Sequence, residues 1–375
     1  MRKMFFIALL LLSAMTVMAE NADKMHIKCH INNLGDTIFV VDGRLQTPFV
    51  GKAGVFEFDL PLSEVKQVVL ASPDAIRGTG RDYLYFTAVP GESAEIFGEM
   101  LSGSITYKGS KFYQNYAVIS NAVSAAQKPR IDFLNDLIAK QNAGADTDSL
   151  NKVYNDAASQ IFKAQDESLL KIIEDNPENE ATAVIISQLT PDAIEKGYEK
   201  LSANVKNGRM KDYAYAPVKK TLEDKKIQAE VEKKQASGVE APDFTLNDIN
   251  GKPLTLSSLR GKYVLLDFWG SWCYWCIKGM PQMKEYYNKY KGKYEVLGID
   301  CNDPVDKWKA AVKEHDLPWL HVYNERTNGK VLEAYGIQGF PTKILIGPDG
   351  KIIKTVVGED PAFYTFMDEL FGEKK

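Results

Sequence analysis

Cysteine and histidine are both scarce in this 375-residue chain, four of each. Four cysteines are too few to staple a small scaffold together with disulfides. One Cys-x-x-Cys pair with no second close pair and few histidines is also a poor zinc signature. Positive charge is short as well: 46 Lys and Arg stand against 50 Asp and Glu, a formal net charge of −4. With no basic cluster, nucleic acid is not an expected partner. What the chain does have is 45% hydrophobic residues, enough for real cores across two or three domains.

The first apolar run is a special case. Arg2 and Lys3 precede it, it extends from Met4 to about Met18, and Val17-Met18-Ala19 stand before Glu20. That is the layout of a secretory signal peptide. About 15 apolar residues fall short of the ~20 that span a bilayer. The expectation is an exported chain from which 1–19 has been removed, with an uncleaved anchor as the bland reading. Glu20 after the cut, with Cys29 as the next cysteine, argues against a lipidated start.

From 20 to 109 the chain reads as a β-rich domain. About seven short strands, at 25–31, 37–41, 55–60, 65–71, 83–88, 94–97 and 105–107, are separated by turns such as Asp42-Gly43 and Pro90-Gly91. Their number and spacing predict a small antiparallel sandwich. His26 and Cys29 point to opposite faces of such a strand, so His26, Cys29 and His30 read as ordinary strand residues. From 110 to 236 helix formers dominate, with breaks at 142–144, 176–177, 190–191 and 207–208, predicting four or five helices. Thr190-Pro191-Asp192 reads as a helix N-cap with proline in the first turn. The Lys-Glu-rich run 219–234 reads as a solvated helix face, and 235–239 as a linker to a last domain, 237–375.

In that last domain, an apolar run over Tyr263–Trp269 is broken only by Asp267 and followed by Cys273 and Cys276. Ile277, Met280, Met283, Tyr287 and Tyr290 then recur at helical spacing. This predicts a buried strand, a tight turn carrying both thiols, and a helix starting at or beside Cys273. A thiol at a helix N-terminus lies among unpaired N–H groups at the positive end of the dipole, which favours its thiolate. The second thiol, one turn on, can close a ring with it, giving a pair suited to two-electron exchange. Asp267, inside an apolar strand, should carry a raised pKa.

The segment FWGSWCYWCIKGMP resembles the active-site stretch of the thioredoxin superfamily, within it the extracytoplasmic thiol–disulfide oxidoreductases related to cytochrome-maturation reductases. APDFTLNDINGKPLTLSSLRGK (241–262) and GFPTKILIGPDGK (339–351) extend the match. The first part more loosely resembles a β-rich domain of unknown function found ahead of such modules. The resemblance implies an α/β thioredoxin-like fold for 237–375. It implies that Cys273 and Cys276 form a redox-active disulfide and that Asp267 is the buried acid that takes a proton from Cys276. Phe340-Pro341 matches the cis-proline loop, Trp272 and Trp275 should join it in an apolar substrate surface, and Pro281 matches the helix-kinking proline. Residues 318–337 fall where relatives carry an insertion. Cytochrome-maturation reductases often carry a glutamate three residues after the second cysteine. Here that position is Gly279.

The leading expectation is an exported enzyme that reduces or isomerises protein disulfides. It needs no cofactor, acts on protein thiols or disulfides, and draws electrons from a membrane thiol carrier. A thiol peroxidase is a second reading, but its proline seven before and threonine three before the nucleophile are here Leu266 and Gly270. A third is a partner-binding adaptor built on the first 235 residues. Cys301 reads as a small buried residue, with a third redox thiol or a bridge to Cys29 as further options.

Overall fold

A computed structural model describes residues 24–32, 34–100, 105–325 and 329–372; the leader predicted at 1–19 lies outside them. The chain divides between Leu222 and Glu223 into two compact units. Among the described residues no helix is long and apolar enough to cross a membrane.

The first unit opens with eight strands: β1 (Lys24–Ile31), β2 (Thr37–Asp42), β3 (Leu45–Val50), β4 (Val55–Pro61), β5 (Lys66–Ala71), β6 (Tyr83–Ala88), β7 (Ser93–Gly98) and β8 (Ile105–Gly109), with the short helix α1 (Pro73–Ile76) after β5. They form two four-stranded sheets, ordered β4-β1-β7-β8 and β3-β2-β5-β6. Alternation sets which residues face inward: in β1, Met25, Ile27, Cys29 and Ile31 are buried. The sandwich departs from the expected all-antiparallel pattern. β1 and β7 pair in parallel: the chain crosses to the other sheet twice between them, for β2 and β3 and again for β5 and β6, and lays β4 antiparallel on the other side of β1. β3 was not foreseen because Pro48 interrupts its sequence. It is an edge strand, where a missing N–H is tolerated.

Helices follow: α2 (Lys111–Asn142), α3 (Thr147–Asp175), a 3₁₀ segment (Glu180–Gln188), α4 (Ile194–Lys200), α5 (Ala203–Asn207) and α6 (Lys211–Gln235). Thr190 does not cap a helix. The Asp166 carboxylate accepts its N–H at 3.0 Å and its hydroxyl proton, and α4 starts later, at Ile194. Strands and helices share one core, in which Met25, Ile27 and Phe86 pack with Tyr113, Ile119, Leu169 and Ile185. Tyr113 fixes the junction by donating its hydroxyl to the Thr87 carbonyl at 2.7 Å.

The second unit holds β9 (Thr245–Asp248), β10 (Pro253–Thr255), β11 (Tyr263–Trp269), α7 (Tyr274–Lys289), β12 (Tyr294–Asp300), α8 (Val305–Glu314), β13 (Leu320–Tyr323), α9 (Lys330–Tyr335), β14 (Thr342–Ile346), β15 (Ile352–Val357) and α10 (Pro361–Phe371). Its sheet runs β10-β9-β13-β12-β11-β14-β15, parallel from β11 through β12 to β13 and antiparallel across β14 and β15. This is the expected thioredoxin-like arrangement. β13 lies within the stretch read as an insertion. It was missed because its four residues, with a histidine at the second, leave no readable alternation.

β11 is central and buried on both faces. Leu265 and Trp269 belong to the core that contains Cys273, Cys276, Met280 and Met283 of α7, while Val264, Leu266 and Phe268 belong to the core on the other side. Asp267 therefore faces α7 and its thiols.

Candidate active site

Cys273 is the N-cap of α7, and its sulfur accepts the Cys276 N–H at 3.2 Å. The two cysteines are joined as a disulfide with their Cα atoms 5.3 Å apart. Helical geometry brings them together, since positions three apart lie on one face. The strand-to-helix turn before them is tied to the end of β12. Asp303, itself buried, accepts the Ser271 N–H at 2.6 Å and the Ser271 hydroxyl at 2.7 Å. Trp272 donates its indole N–H to the Cys301 carbonyl at 2.9 Å. A side chain at Gly270 is crowded: an added Cβ would meet the Trp272 indole nitrogen at 2.4 Å and the Cys301 carbonyl at 2.9 Å. The threonine of a peroxidase-type site would have to displace the Trp272 indole.

Around the disulfide the surface is aromatic. Trp272, Tyr274 and Trp275 are exposed, Trp272 lies edge-on to Phe340 at 5.3 Å between ring centroids, and the Phe340-Pro341 bond is cis. The two cysteines are nearly covered, Cys273 being 5% and Cys276 4% exposed. Access does not distinguish the two, whereas position on the helix does: Cys273 stands at the N-terminus among unpaired N–H groups. Pro281 lies inside α7, as expected.

Asp267 is 3% exposed, and burial pushes its carboxyl up to about 6; Lys343 opposes the shift and Glu359 adds to it. Lys343 faces Asp267 directly across the β11–β14 pair, with its ammonium 3.9 Å from the carboxylate and bonded at 2.5 Å to Glu359. Neither Lys343 nor Glu359 was foreseen. The lysine was legible, because a charge inside the buried run TKILI mirrors Asp267 inside its own; nothing in the sequence pointed to Glu359. A second acidic pair lies at the other end of the turn: Asp300, fully buried, is pushed up to about 8 by burial and by Asp303.

The remaining cysteines lie outside the disulfide. Cys29 and Cys301 are both buried and both free, so the bridge considered between them is not formed. Burial raises the thiol of Cys29 to about 12 and that of Cys301 further still.

Residues 237–355 match the family model described as AhpC/TSA family. The thiol-disulfide oxidoreductase ResA of Bacillus thuringiensis subsp. konkukian is 40% identical over 129 residues, which is 34% of this chain and 73% of that protein. The chain belongs to the ResA family of thiol–disulfide oxidoreductases. ResA of Bacillus subtilis is 36% identical over 124 residues, 33% of this chain and 68% of that protein. Among solved structures, the thioredoxin domain of a thiol-disulfide oxidoreductase from Bacteroides vulgatus is similar, at 34% identity and a TM-score of 0.35, covering 36% of this chain and 99% of that one. The family match covers the Cys-x-x-Cys part of the chain, residues 237–355 in the family model.

Proposed function

We propose that this ResA-family chain is an exported enzyme that reduces or isomerises disulfides of other proteins, with Cys273 attacking and Cys276 resolving. The observation that carries the reading is the disulfide-forming pair at the N-terminus of α7, set beside exposed Trp272 and Trp275 and the Phe340-Pro341 loop. Export is inferred from residues 1–19.

In the reducing direction the Cys273 thiolate attacks one sulfur of a substrate disulfide. A Cys273–substrate bond forms, and the other substrate sulfur leaves as a thiolate that takes a proton from water. The Cys276 thiol then passes its proton to the Asp267 carboxylate and attacks the Cys273 sulfur. This closes the Cys273–Cys276 bond and expels the second substrate thiolate. Two electrons have moved from enzyme to substrate, so an external dithiol, for which we infer a membrane thiol carrier, must restore the enzyme. Trp272, Trp275, Phe340 and Pro341 would dock the substrate chain by apolar contact and by backbone pairing at Phe340.

Equilibration with glutathione tests the reading, because related pairs span about −270 to −120 mV. Cys273 and Cys276 should titrate as one two-electron couple within that range, and the reduced protein should reduce insulin. A pair that neither equilibrates with glutathione nor reduces insulin would sink the proposal.

A further inference from the structure

Lys343 lies between two carboxylates and bonds to one of them. Its ammonium is 2.5 Å from Glu359 and 3.9 Å from Asp267. The side chains of Lys343 and Asp267 are 4% and 5% exposed, whereas Glu359 is 20% exposed and so forms the solvent side of the cluster. Room for Glu359 comes from α7. A Cβ added at Gly279 would fall 2.3 Å from the Glu359 carboxyl carbon and 2.3 and 2.6 Å from its two oxygens. The carboxylate of Glu359 thus fills the volume that a side chain at position 279 would occupy, one turn past Cys276.

We propose that Glu359 is a positioning residue for thiol–disulfide exchange: by holding Lys343 it denies Asp267 a tight ion pair and keeps it able to take up the Cys276 proton. The inference rests on the function proposed above. A carboxylate paired closely with a buried ammonium is held ionised and becomes a weak base. Asp267 instead titrates at about 6, raised first by burial and then by Glu359, against the opposing pull of Lys343. The other groups around Asp267 do not supply this balance. From α10 comes the buried Tyr364 phenol, pushed well above its ordinary value by burial and by both carboxylates; on the same side of β11 lies the Cys273–Cys276 disulfide at the start of α7; just after β12 comes the Cys301 thiol, raised by burial and partly by Asp267. Only Lys343 is cationic among them, and Glu359 is what engages it.

The test is ¹³C-carboxyl titration of Asp267 in the oxidised full-length protein, which needs no turnover, joined to the pH profile of mixed-disulfide resolution. Glu359→Gln keeps a hydrogen-bond acceptor for Lys343 and removes the charge. The Asp267 midpoint should fall by about one pH unit, with the acid limb of the rate profile moving down in step. Glu359→Ala should lower it at least as far, and adding Gly279→Glu should return it by supplying a carboxylate from the helix. An unmoved Asp267 midpoint in Glu359→Gln overturns the proposal, because a merely structural Glu359 is replaced by glutamine without effect on titration. A wild-type protein that exchanges no disulfides while the midpoint still shifts would refute the proposed function and leave the electrostatic coupling standing.

Discussion

Replacing Asp267 by asparagine should make the second unit more stable at neutral pH while making the enzyme slower. The folded-state carboxyl titrates at about 6 against an ordinary 3.8, chiefly through burial. That difference corresponds to about 3 kcal/mol at roughly 1.4 kcal/mol per unit. The raised pKa fixes the sign. The folded state holds the Asp267 proton more tightly than the unfolded state, so this contribution is fully present below the unfolded value and is lost as pH rises through about 6. Asparagine is uncharged throughout and loses nothing. Lys343 retains Glu359 at 2.5 Å, so the variant does not strand a buried cation. Of the total, about 2 kcal/mol falls between about pH 4.5 and about pH 7.5, and the stability gap between variant and wild type should widen by that amount. Urea unfolding followed by tryptophan fluorescence reads the second unit alone, since all five tryptophans lie between Trp269 and Trp319. Resolution of the mixed disulfide should slow by about 10²-fold at neutral pH, the low end for loss of a general base. A gap that does not change with pH would refute the reasoning, because it would mean that Asp267 does not titrate differently on folding.

Two further outcomes follow from the same geometry. In the reduced protein at about pH 6, alkylation should modify Cys273 well before Cys276, since exposure barely differs and only the helix N-terminus favours one thiolate; equal rates would remove the basis for assigning the attacking sulfur. Gly270→Thr should destabilise the second unit by about 1–3 kcal/mol through overpacking against the Trp272 indole and the Cys301 carbonyl, and a wild-type urea midpoint would contradict that.

The second unit was more legible in the sequence than the first, for physical reasons. β11 announces itself as an apolar run ending at a Cys-x-x-Cys, and the hairpin of β14 and β15 is marked by Pro348-Asp349-Gly350. β13 is too short to show a period, and β3 carries Pro48, which only its edge position tolerates. At the site, Asp267 could be read because a charge in a buried strand demands an explanation. Lys343 carried the same signal and was overlooked. Glu359 lies in the turn after β15, 80 residues beyond Gly279, and only the fold brings the two together. The first unit has one core where the sequence predicted two regions, since the switch from strand to helix near Ser110 changes the local period without ending the shared packing.

The central claim is that Cys273 forms a covalent bond to a substrate sulfur and that Cys276 breaks it. Expressing the full-length Cys276→Ser chain, quenching the thiols with acid and an alkylating agent, and separating proteins first without and then with reductant tests it most directly. Serine keeps the size of the side chain but cannot displace a sulfur. The account predicts higher-mass species that disappear on reduction, that contain this chain linked through Cys273, and that are absent from Cys273→Ser. Adducts that form equally well without Cys273, or none at all in Cys276→Ser and in Cys276→Ser with Cys301→Ser, would contradict it.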